Sequence, residues 1–583
     1  MNTNRIPVPF LTIGLILYLV ISSGMIFQLK AQDNKQIEPQ WKELTIREKI
    51  GQTVVALVDF ENDYPKNGDS LRMVLEKYPV GAVFMANWRI KGGADSAKEV
   101  IKQKILDYSK NSKTPILFQE DYESGLGDNV TGFTKLPNLM ALGATNNPLL
   151  AWEYGNIISS EARQLGISML LNPVCDLNIN FLNPLVSTRC ISDNPAKTIQ
   201  FVNQQIGAMQ NNGVAATIKH FPGDGVDFRD QHQVTTVNSL SKDEWNRTFG
   251  TVFKTLIDSG AYCIMAGHIC LPAFQTKRAD GTYLPASLSF ELITGLLKSE
   301  MGFKGVVVTD ALNMGGMAGY FVSPLETQIE SFKAGCDMML WPAPEYIDSV
   351  EARVIRGEIP IERLNDAVQR IWELKWKCGL FNKNYKTFSA PIADSKAATE
   401  KVVAEIAESS VTLVRDLDLK LPISVETSKK ILWIIVGTNS KATDLMHKFE
   451  VSKIELEKRG FTVEMRVNCP YYGSDLNALN KNDKIILAFD HHPHDPMGTV
   501  QLYEDEILTV WLAKMLPNEK VISVSFGDPY VHNVYLPLIH TCINAYSSSS
   551  VSQIALIKAI TGEIPIKGIS PVNLLIPGVP VRK

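Results

Sequence analysis

A loop dense in ionisable side chains follows one strand-length apolar run and holds the residue types that proton transfer needs. The run Val214–Ile218 ends at Lys219 and His220, and Asp230 and His232 follow a few residues later. The Asp-x-His spacing lets a carboxylate orient an imidazole and stabilise its charge, which makes a proton donor that works near neutral pH. A lone loop histidine is more often simply solvated, so spacing alone leaves both interpretations open.

A second candidate for chemistry is Asp310, which directly follows the run Gly305–Thr309. A carboxylate on such a rigid support is suited to act as a nucleophile or to stabilise positive charge. The alternative is an ordinary strand-ending aspartate that caps the next helix. The segment Asn313–Gly316 is not a strong helix start, which favours the chemical interpretation.

Eight apolar runs of strand length must position these residues. They are 53–58, 80–85, 115–119, 168–171, 214–218, 262–265, 305–308 and 337–340, and helical patterns separate most of them. Runs without polar alternation are typical of parallel strands that are buried on both faces. Eight such strands close a (β/α)8 barrel, whose chemistry lies at the carboxyl ends of the strands. The polar residues at those ends, including Asp121 and His268, are therefore expected to converge on one mouth.

The fold class expected is α/β, with two domains. We predict a (β/α)8 TIM-like barrel at residues 32–381, a linker at 382–400 and a smaller α/β sandwich domain at 401–583, whose strands begin with 430–436. No Gly-x-Gly-x-x-Gly follows this first strand, so nucleotide binding is not indicated there.

The N-terminal 31 residues have the features of a secretory signal. Arg5 precedes the apolar run Phe10–Phe27, and we expect cleavage after Ala31 and export to the periplasm or the medium. Because the run is about 18 residues long, an uncleaved membrane anchor is the alternative, and contact with a membrane depends on it.

Composition and missing motifs exclude several classes of function. The net charge is −4 without a basic stripe, so no nucleic-acid partner is expected. No Gly-x-Ser-x-Gly elbow or Walker loop is present. None of the eight cysteines forms a Cys-x-x-Cys pair, and Cys263, Cys336 and Cys542 are expected to be buried small hydrophobes.

The cluster His491, His492 and His494 invites a metal interpretation. Its ligands stand too close together in sequence to form one ordered tetrahedral site without distant partners. A surface loop is therefore the preferred interpretation, and we expect no metal and no other cofactor.

Several blocks in order identify a family. Lys219–Gly225 resembles the Lys-His-Phe-Pro-Gly-His-Gly signature of the β-N-acetylglucosaminidase branch of glycoside hydrolase family 3, and Asp230-Gln231-His232 resembles its Asp-Ser-His dyad. Gly305–Asp310 resembles its nucleophile strand. Further matching blocks lie at 132–145, 172–176 and 334–337.

The resemblance implies a retaining glycosidase that removes terminal β-linked N-acetylglucosamine from peptidoglycan fragments, chitin oligosaccharides or other glycans, as a monomer or homodimer. Asp310 would form the covalent glycosyl-enzyme, His232 would be the acid/base and Asp230 would orient it. The groups implied to hold the sugar are Asp121, Arg189, Lys219, His220 and His268.

The sequence departs from the family pattern around the sugar. Asp224 stands where the signature has its second histidine, Tyr122 and Ser124 replace a glutamine and a glycine, and Asn129 stands near the position of an expected arginine. The family's Arg-Ser-Phe-Gly is here Arg189–Ser192.

These departures keep three alternatives open. They are a β-glucosidase or β-xylosidase of the same family with an acid supplied by the second domain, a phosphorylase, and a non-catalytic glycan-binding protein.

Overall fold

The computed structural model describes residues 40–63, 69–390, 395–438, 441–492 and 502–575. The predicted signal segment and His494 lie outside these residues. A short unit that ends at Leu44 contains the 3-10 turn Trp41–Glu43. All of the elements below belong to the second unit, Thr45–Lys583.

The N-terminal part of that unit is a parallel (β/α)8 barrel. Its eight strands follow one another around the barrel in the order in which they occur in the chain. They are Val54–Leu57, Ala82–Phe84, Leu117–Glu120, Met169–Leu170, Ala215–Phe221, Cys263–Ala266, Val306–Thr309 and Met339–Leu340. The first strand pairs with the last, and Thr309 N–H donates to the Met338 carbonyl at 3.0 Å to join the last two. Every predicted barrel strand is confirmed. Each apolar run forms a parallel strand because it is buried on both of its faces.

Helices lie between most of the barrel strands, as the helical patterns between the apolar runs predicted. The main ones are Gly93–Asn111, Pro148–Leu165, Pro195–Asn211, Lys242–Trp245 continuing through Thr251–Asp258, the π-helix Glu291–Glu300, Pro324–Ala334, Tyr346–Ile355 and Ile361–Lys377, with short helices at Ile46–Gln52, Leu71–Lys77 and Leu139–Ala144. Proline at the first turn of Pro148–Leu165 and Pro195–Asn211, each behind a capping asparagine, explains why these helices begin there.

The second domain is a six-stranded, mostly parallel sheet with helices on it. Its strand order is Thr412–Asp416, Thr541–Asn544, Val521–Ser525, Lys484–Phe489, Lys430–Val436 and Thr462–Val467. The helices are Ser395–Ser410, Ala442–Lys458, Leu476–Leu479, Glu504–Ala513, Val531–Tyr535 and Ser550–Ile560. The sequence pattern missed Thr412–Asp416, an antiparallel edge strand, because its run is short and ends in two charged residues.

The second domain packs directly on the barrel. Tyr530 and Tyr546, which follow two of its central strands, share a buried apolar cluster with the barrel helix Leu139–Ala144. Asn138 Nδ2 donates to the Tyr546 carbonyl at 3.0 Å. The Ser192 hydroxyl donates to the Pro571 carbonyl, so the altered segment after Arg189 lies against the C-terminal domain.

The eight cysteines are free and buried, as predicted for those inside the apolar runs. Among the described helices, none is both long enough and apolar enough to cross a membrane.

Candidate active site

A cavity of about 980 Å³ opens at the carboxyl ends of the barrel strands. Six of the eight predicted site residues line it: Asp121, Arg189, Lys219, His220, His232 and Asp310. Among the described residues, all that line this cavity lie between Phe84 and Trp341, within the barrel. A carboxylate acid from the second domain, which the β-glucosidase alternative requires, is not among them.

Asp310 lies where the seventh barrel strand ends, as predicted. Its backbone N–H donates to the Ala266 carbonyl at 2.9 Å, and its Oδ1 accepts from Ala311 N–H at 2.8 Å. Burial raises the pKa of this carboxyl, but the surrounding imidazoles, His220 foremost, outweigh burial and hold the pKa below its usual value. Asp310 is therefore ionised at neutral pH, which suits a nucleophile.

Asp230 and His232 form the predicted dyad. Asp230 Oδ1 accepts from the backbone N–H of His232 at 2.9 Å and lies 2.7 Å from its Nδ1. Asp230 is buried, whereas the His232 side chain is 24% exposed and reaches the cavity. Because Asp230 engages Nδ1, Nε2 is the ring nitrogen that can exchange a proton with a substrate.

Two glycines hold the loop of Asp310 against the loop of His232. Gly315 N–H donates to the His232 carbonyl at 2.8 Å, and Gly316 N–H donates to the Gln231 carbonyl at 3.2 Å. A Cβ on Gly315 would lie 2.2 Å from the Gln233 carbonyl oxygen, so only glycine allows this approach. The segment after Asp310 forms only the 3-10 turn Gly315–Met317, and the next α-helix begins at Pro324.

A network of two cations, Lys219 and Arg189, and two carboxylates, Asp121 and Glu123, also lines the cavity. Lys219 Nζ lies 2.7 Å from both Asp121 Oδ1 and Glu123 Oε1. Arg189 Nη2 lies 2.7 Å from the same oxygen, Glu123 Oε1, and Arg189 Nε donates to Glu123 Oε2 at 2.9 Å. Burial raises the pKa of the Glu123 carboxyl, but Arg189 and Lys219 outweigh burial and hold that pKa far below its usual range.

His220 is held by the carboxylate of Asp176, for which no role was predicted from the sequence. Asp176 Oδ2 lies 2.7 Å from His220 Nδ1, while its Oδ1 accepts from the backbone N–H groups of His220 and Asp224 at 3.0 and 2.8 Å. Asp224, the departure from the signature, is buried behind this pair and does not line the cavity. Burial and then the charge of Asp176 raise the pKa of Asp224 to about 6.

His268 lies outside the cavity lining. It is fully buried, with Nδ1 2.8 Å from Ser287 Oγ and Nε2 3.0 Å from the Ala311 carbonyl. Both ring nitrogens therefore bond to protein, and the side chain supports the residue that follows Asp310 rather than facing a ligand.

Several cavity residues were not predicted from the sequence, among them Glu120, Asn87 and Trp88. Glu120 precedes Asp121 at the end of the third strand, and Asn87 and Trp88 follow the second strand. The sequence feature that could have indicated Glu120 is the pair of adjacent acidic residues, Glu120 and Asp121, at the end of an apolar run. No comparable pattern marks Asn87 and Trp88, because their turn lies several residues beyond its strand.

The histidine cluster lies in the second domain, after the strand Lys484–Phe489. His492 Nε2 lies 3.0 Å from Asp490 Oδ1 and 3.1 Å from Ser548 Oγ. Within the described parts of the chain, no group of three or more His, Cys, Asp or Glu residues is arranged to hold a metal ion.

Comparisons with known proteins agree with this geometry. The model of the glycosyl hydrolase family 3 N-terminal domain matches residues 45–374. A β-N-acetylglucosaminidase/β-glucosidase of Cellulomonas fimi is 30% identical over 546 residues, which cover 90% of this chain and 93% of that protein. β-Hexosaminidase A of Pseudoalteromonas piscicida is 25% identical over 462 residues, 74% of each chain.

A solved structure of a β-glucoside phosphorylase superposes with a TM-score of 0.81 at 28% identity, and the match covers 93% of this chain and 97% of the other. The family resemblance stated from the sequence is thus confirmed. The chain belongs to glycosyl hydrolase family 3 and is an enzyme of the glycosidase type.

Proposed function

We propose that the protein is a retaining hydrolase that removes terminal β-linked N-acetylglucosamine from the non-reducing ends of glycans. The observation that carries the proposal is the pairing of an ionised carboxylate, Asp310, with the Asp230–His232 dyad at one cavity. The name of the Cellulomonas fimi relative supports the choice of sugar.

The reaction proceeds in two displacements. A carboxylate oxygen of Asp310 attacks the anomeric carbon, the glycosidic C–O bond breaks, and the departing oxygen takes a proton from His232 Nε2. Water then attacks the anomeric carbon and gives its proton to His232, which releases the sugar and restores the Asp310 carboxylate. Asp230 stabilises the imidazolium before each turnover.

Lys219, Asp121 and Arg189 are proposed to hold the sugar hydroxyls. The ion pairs of Lys219 with Asp121 and of Lys219 and Arg189 with Glu123 fix the directions of these side chains before a ligand arrives. Hydrogen bonds that involve charged groups are stronger than neutral ones. His220 is held in the same way by Asp176. We further propose that the protein is exported and meets peptidoglycan fragments or chitin oligosaccharides there.

A second candidate function is phosphorolysis of β-glucosides. The solved phosphorylase shares 28% of its sequence with this chain over nearly the full length of both. Asn129 lines the cavity near the position of an expected arginine, so the sugar contacts differ from those of the N-acetylglucosaminidase signature. In that reaction phosphate replaces water in the second displacement.

A substrate panel with and without phosphate tests the proposal. We expect chromogenic β-N-acetylglucosaminide to have a kcat/KM at least about tenfold above those of the glucoside and xyloside, a difference of about 1.4 kcal/mol in transition-state binding. Inorganic phosphate should change none of these rates.

Two results would overturn it. A glucoside preference with rates that rise with phosphate would identify a phosphorylase. No turnover of any glycoside, with sugar binding retained, would identify a glycan-binding protein.

A further inference from the structure

Glu120 is a buried carboxyl in the wall of the cavity that the proposed mechanism does not use. Glu120 is among the residues that line the cavity, with Asn87 and Trp88, yet it is only 3% exposed. Its two oxygens each accept one hydrogen bond from a neutral donor. Asn87 Nδ2 donates to Oε1 at 2.8 Å, and the backbone N–H of Asp121 donates to Oε2.

The cations of this wall are committed to other carboxylates. Lys219 pairs with Asp121 and Glu123, and Arg189 pairs with Glu123. An ionised Glu120 would therefore stand buried beside the negative charge of Asp121 without an ion pair of its own. A buried charge without a partner is costly, so the carboxyl keeps its proton instead.

The groups around Glu120 act in both directions. Burial and the charge of Asp121 favour the protonated form, whereas the hydrogen bonds from Asn87 and the Asp121 N–H and the charge of Lys219 favour the ionised form. Asp121 and Tyr122 directly follow Glu120 where the third strand ends. Lys219 belongs to the fifth strand, and the neutral Asn87 lies on the turn after the second strand. Burial and then the charge of Asp121 raise the pKa of the Glu120 carboxyl to about 8, although Lys219 acts in the opposite direction. Tyr122 is neutral, because burial raises its pKa well above the usual value.

We propose that Glu120 is a sugar-binding residue that stays a neutral carboxylic acid in the cavity and donates a hydrogen bond to an oxygen of the bound sugar. A protonated carboxyl carries one O–H donor, whereas a carboxylate can only accept. This wall of the cavity otherwise presents the carboxylate of Asp121, so a neutral Glu120 adds a donor without a further negative charge. The inference rests on the proposed function, because it assumes that the cavity binds a sugar.

The proposal makes sugar affinity depend on pH in a defined direction. A bound sugar covers the remaining exposed surface of Glu120 and so raises the cost of its ionisation. Above a pH of about 8, binding must therefore be accompanied by uptake of one proton, and the Kd should rise by about tenfold per pH unit. Below that pH the Kd should not depend on Glu120 ionisation.

Calorimetric binding of free N-acetylglucosamine to the whole protein tests this. At about pH 9, titrations in two buffers of different ionisation enthalpy should show uptake of close to one proton per sugar bound by the unmodified protein. Glu120→Gln, which cannot ionise, should bind within about threefold of the unmodified protein at pH 7 and show a Kd that stays flat as the pH rises.

A matched control is Glu161→Gln. Glu161 is a carboxyl outside the cavity that accepts hydrogen bonds from Thr134 and whose pKa burial also raises. This variant should keep the proton uptake of the unmodified protein.

Proton uptake of zero in the unmodified protein would overturn the proposal, and that measurement needs no variant. An equal rise of Kd with pH in Glu120→Gln would also overturn it. If sugar binding takes up a proton but no glycoside is turned over, the proposed function fails and the assignment of Glu120 stands. If glycosides are hydrolysed and no proton is taken up, the assignment fails alone.

Discussion

Replacing Asp310 with alanine should abolish turnover, with kcat lower by at least about 10⁴-fold on every substrate that the protein accepts. In the proposed mechanism this carboxylate bonds to the anomeric carbon, and it is held where a rigid barrel strand ends. Its neighbours also keep it ionised, so the loss removes both a nucleophile and a negative charge that stabilises an oxocarbenium-like transition state.

Asp310→Asn is the companion variant, because it keeps the shape and the hydrogen bond from Ala311 N–H. Thermal unfolding of both variants and binding of N-acetylglucosamine separate a chemical defect from a folding defect. Retention of more than about a tenth of the activity by Asp310→Asn would contradict the assignment of the nucleophile.

Replacing His232 with alanine should slow substrates with poor leaving groups by about 10²–10⁴-fold in kcat/KM, the usual contribution of general acid catalysis. An activated aryl glycoside needs little proton donation, so its kcat/KM should stay within about tenfold of the unmodified value. Its kcat should nevertheless fall, because water in the second step loses its general base.

Azide distinguishes this outcome from a general loss of structure. A small anionic nucleophile needs no base, so azide should restore the kcat of His232→Ala on the activated substrate and yield the β-glycosyl azide. Equal losses of kcat/KM on good and poor leaving groups, without rescue by azide, would contradict the role of His232 as acid and base.

The positions of the candidate site residues followed from the sequence because strand ends are local features. Asp310 and Lys219 each follow an uninterrupted apolar run, and such runs become buried parallel strands whatever surrounds them. Eight runs then fix where the carboxyl ends meet, since a closed barrel gathers them at one mouth.

The environment of each side chain did not follow from the sequence, because distant segments set it. His268 also ends a strand, yet Ser287 and the Ala311 carbonyl bury it behind the cavity. Asp224 stands within the signature loop, but Asn183 Nδ2, 41 residues away in the chain, donates to its Oδ1 at 2.9 Å and holds it away from the cavity lining. The protonation of Glu120 depends on which carboxylates Lys219 and Arg189 pair with.

The second domain also packs against the turn that carries Arg189, a contact that could not be predicted from the sequence. Arg189 lies on a turn whose neighbours, Val186 and Cys190, pack against Tyr530 and Tyr546 of that domain. The altered Cys190–Ser192 sequence follows at this interface, where Ser192 bonds to Pro571. The departure from the family pattern there is thus explained by contact between domains rather than by contact with a ligand.

The most direct test of the account is to trap the covalent intermediate on Asp310. The protein is incubated with an activated 5-fluoro-N-acetylglucosaminyl fluoride, which slows hydrolysis of the glycosyl-enzyme, and is then digested and analysed by mass spectrometry. The account predicts a mass increase of one fluorosugar per chain, located on Asp310 and absent from Asp310→Ala. A sugar attached to another side chain, or turnover with inversion and no adduct, would contradict it.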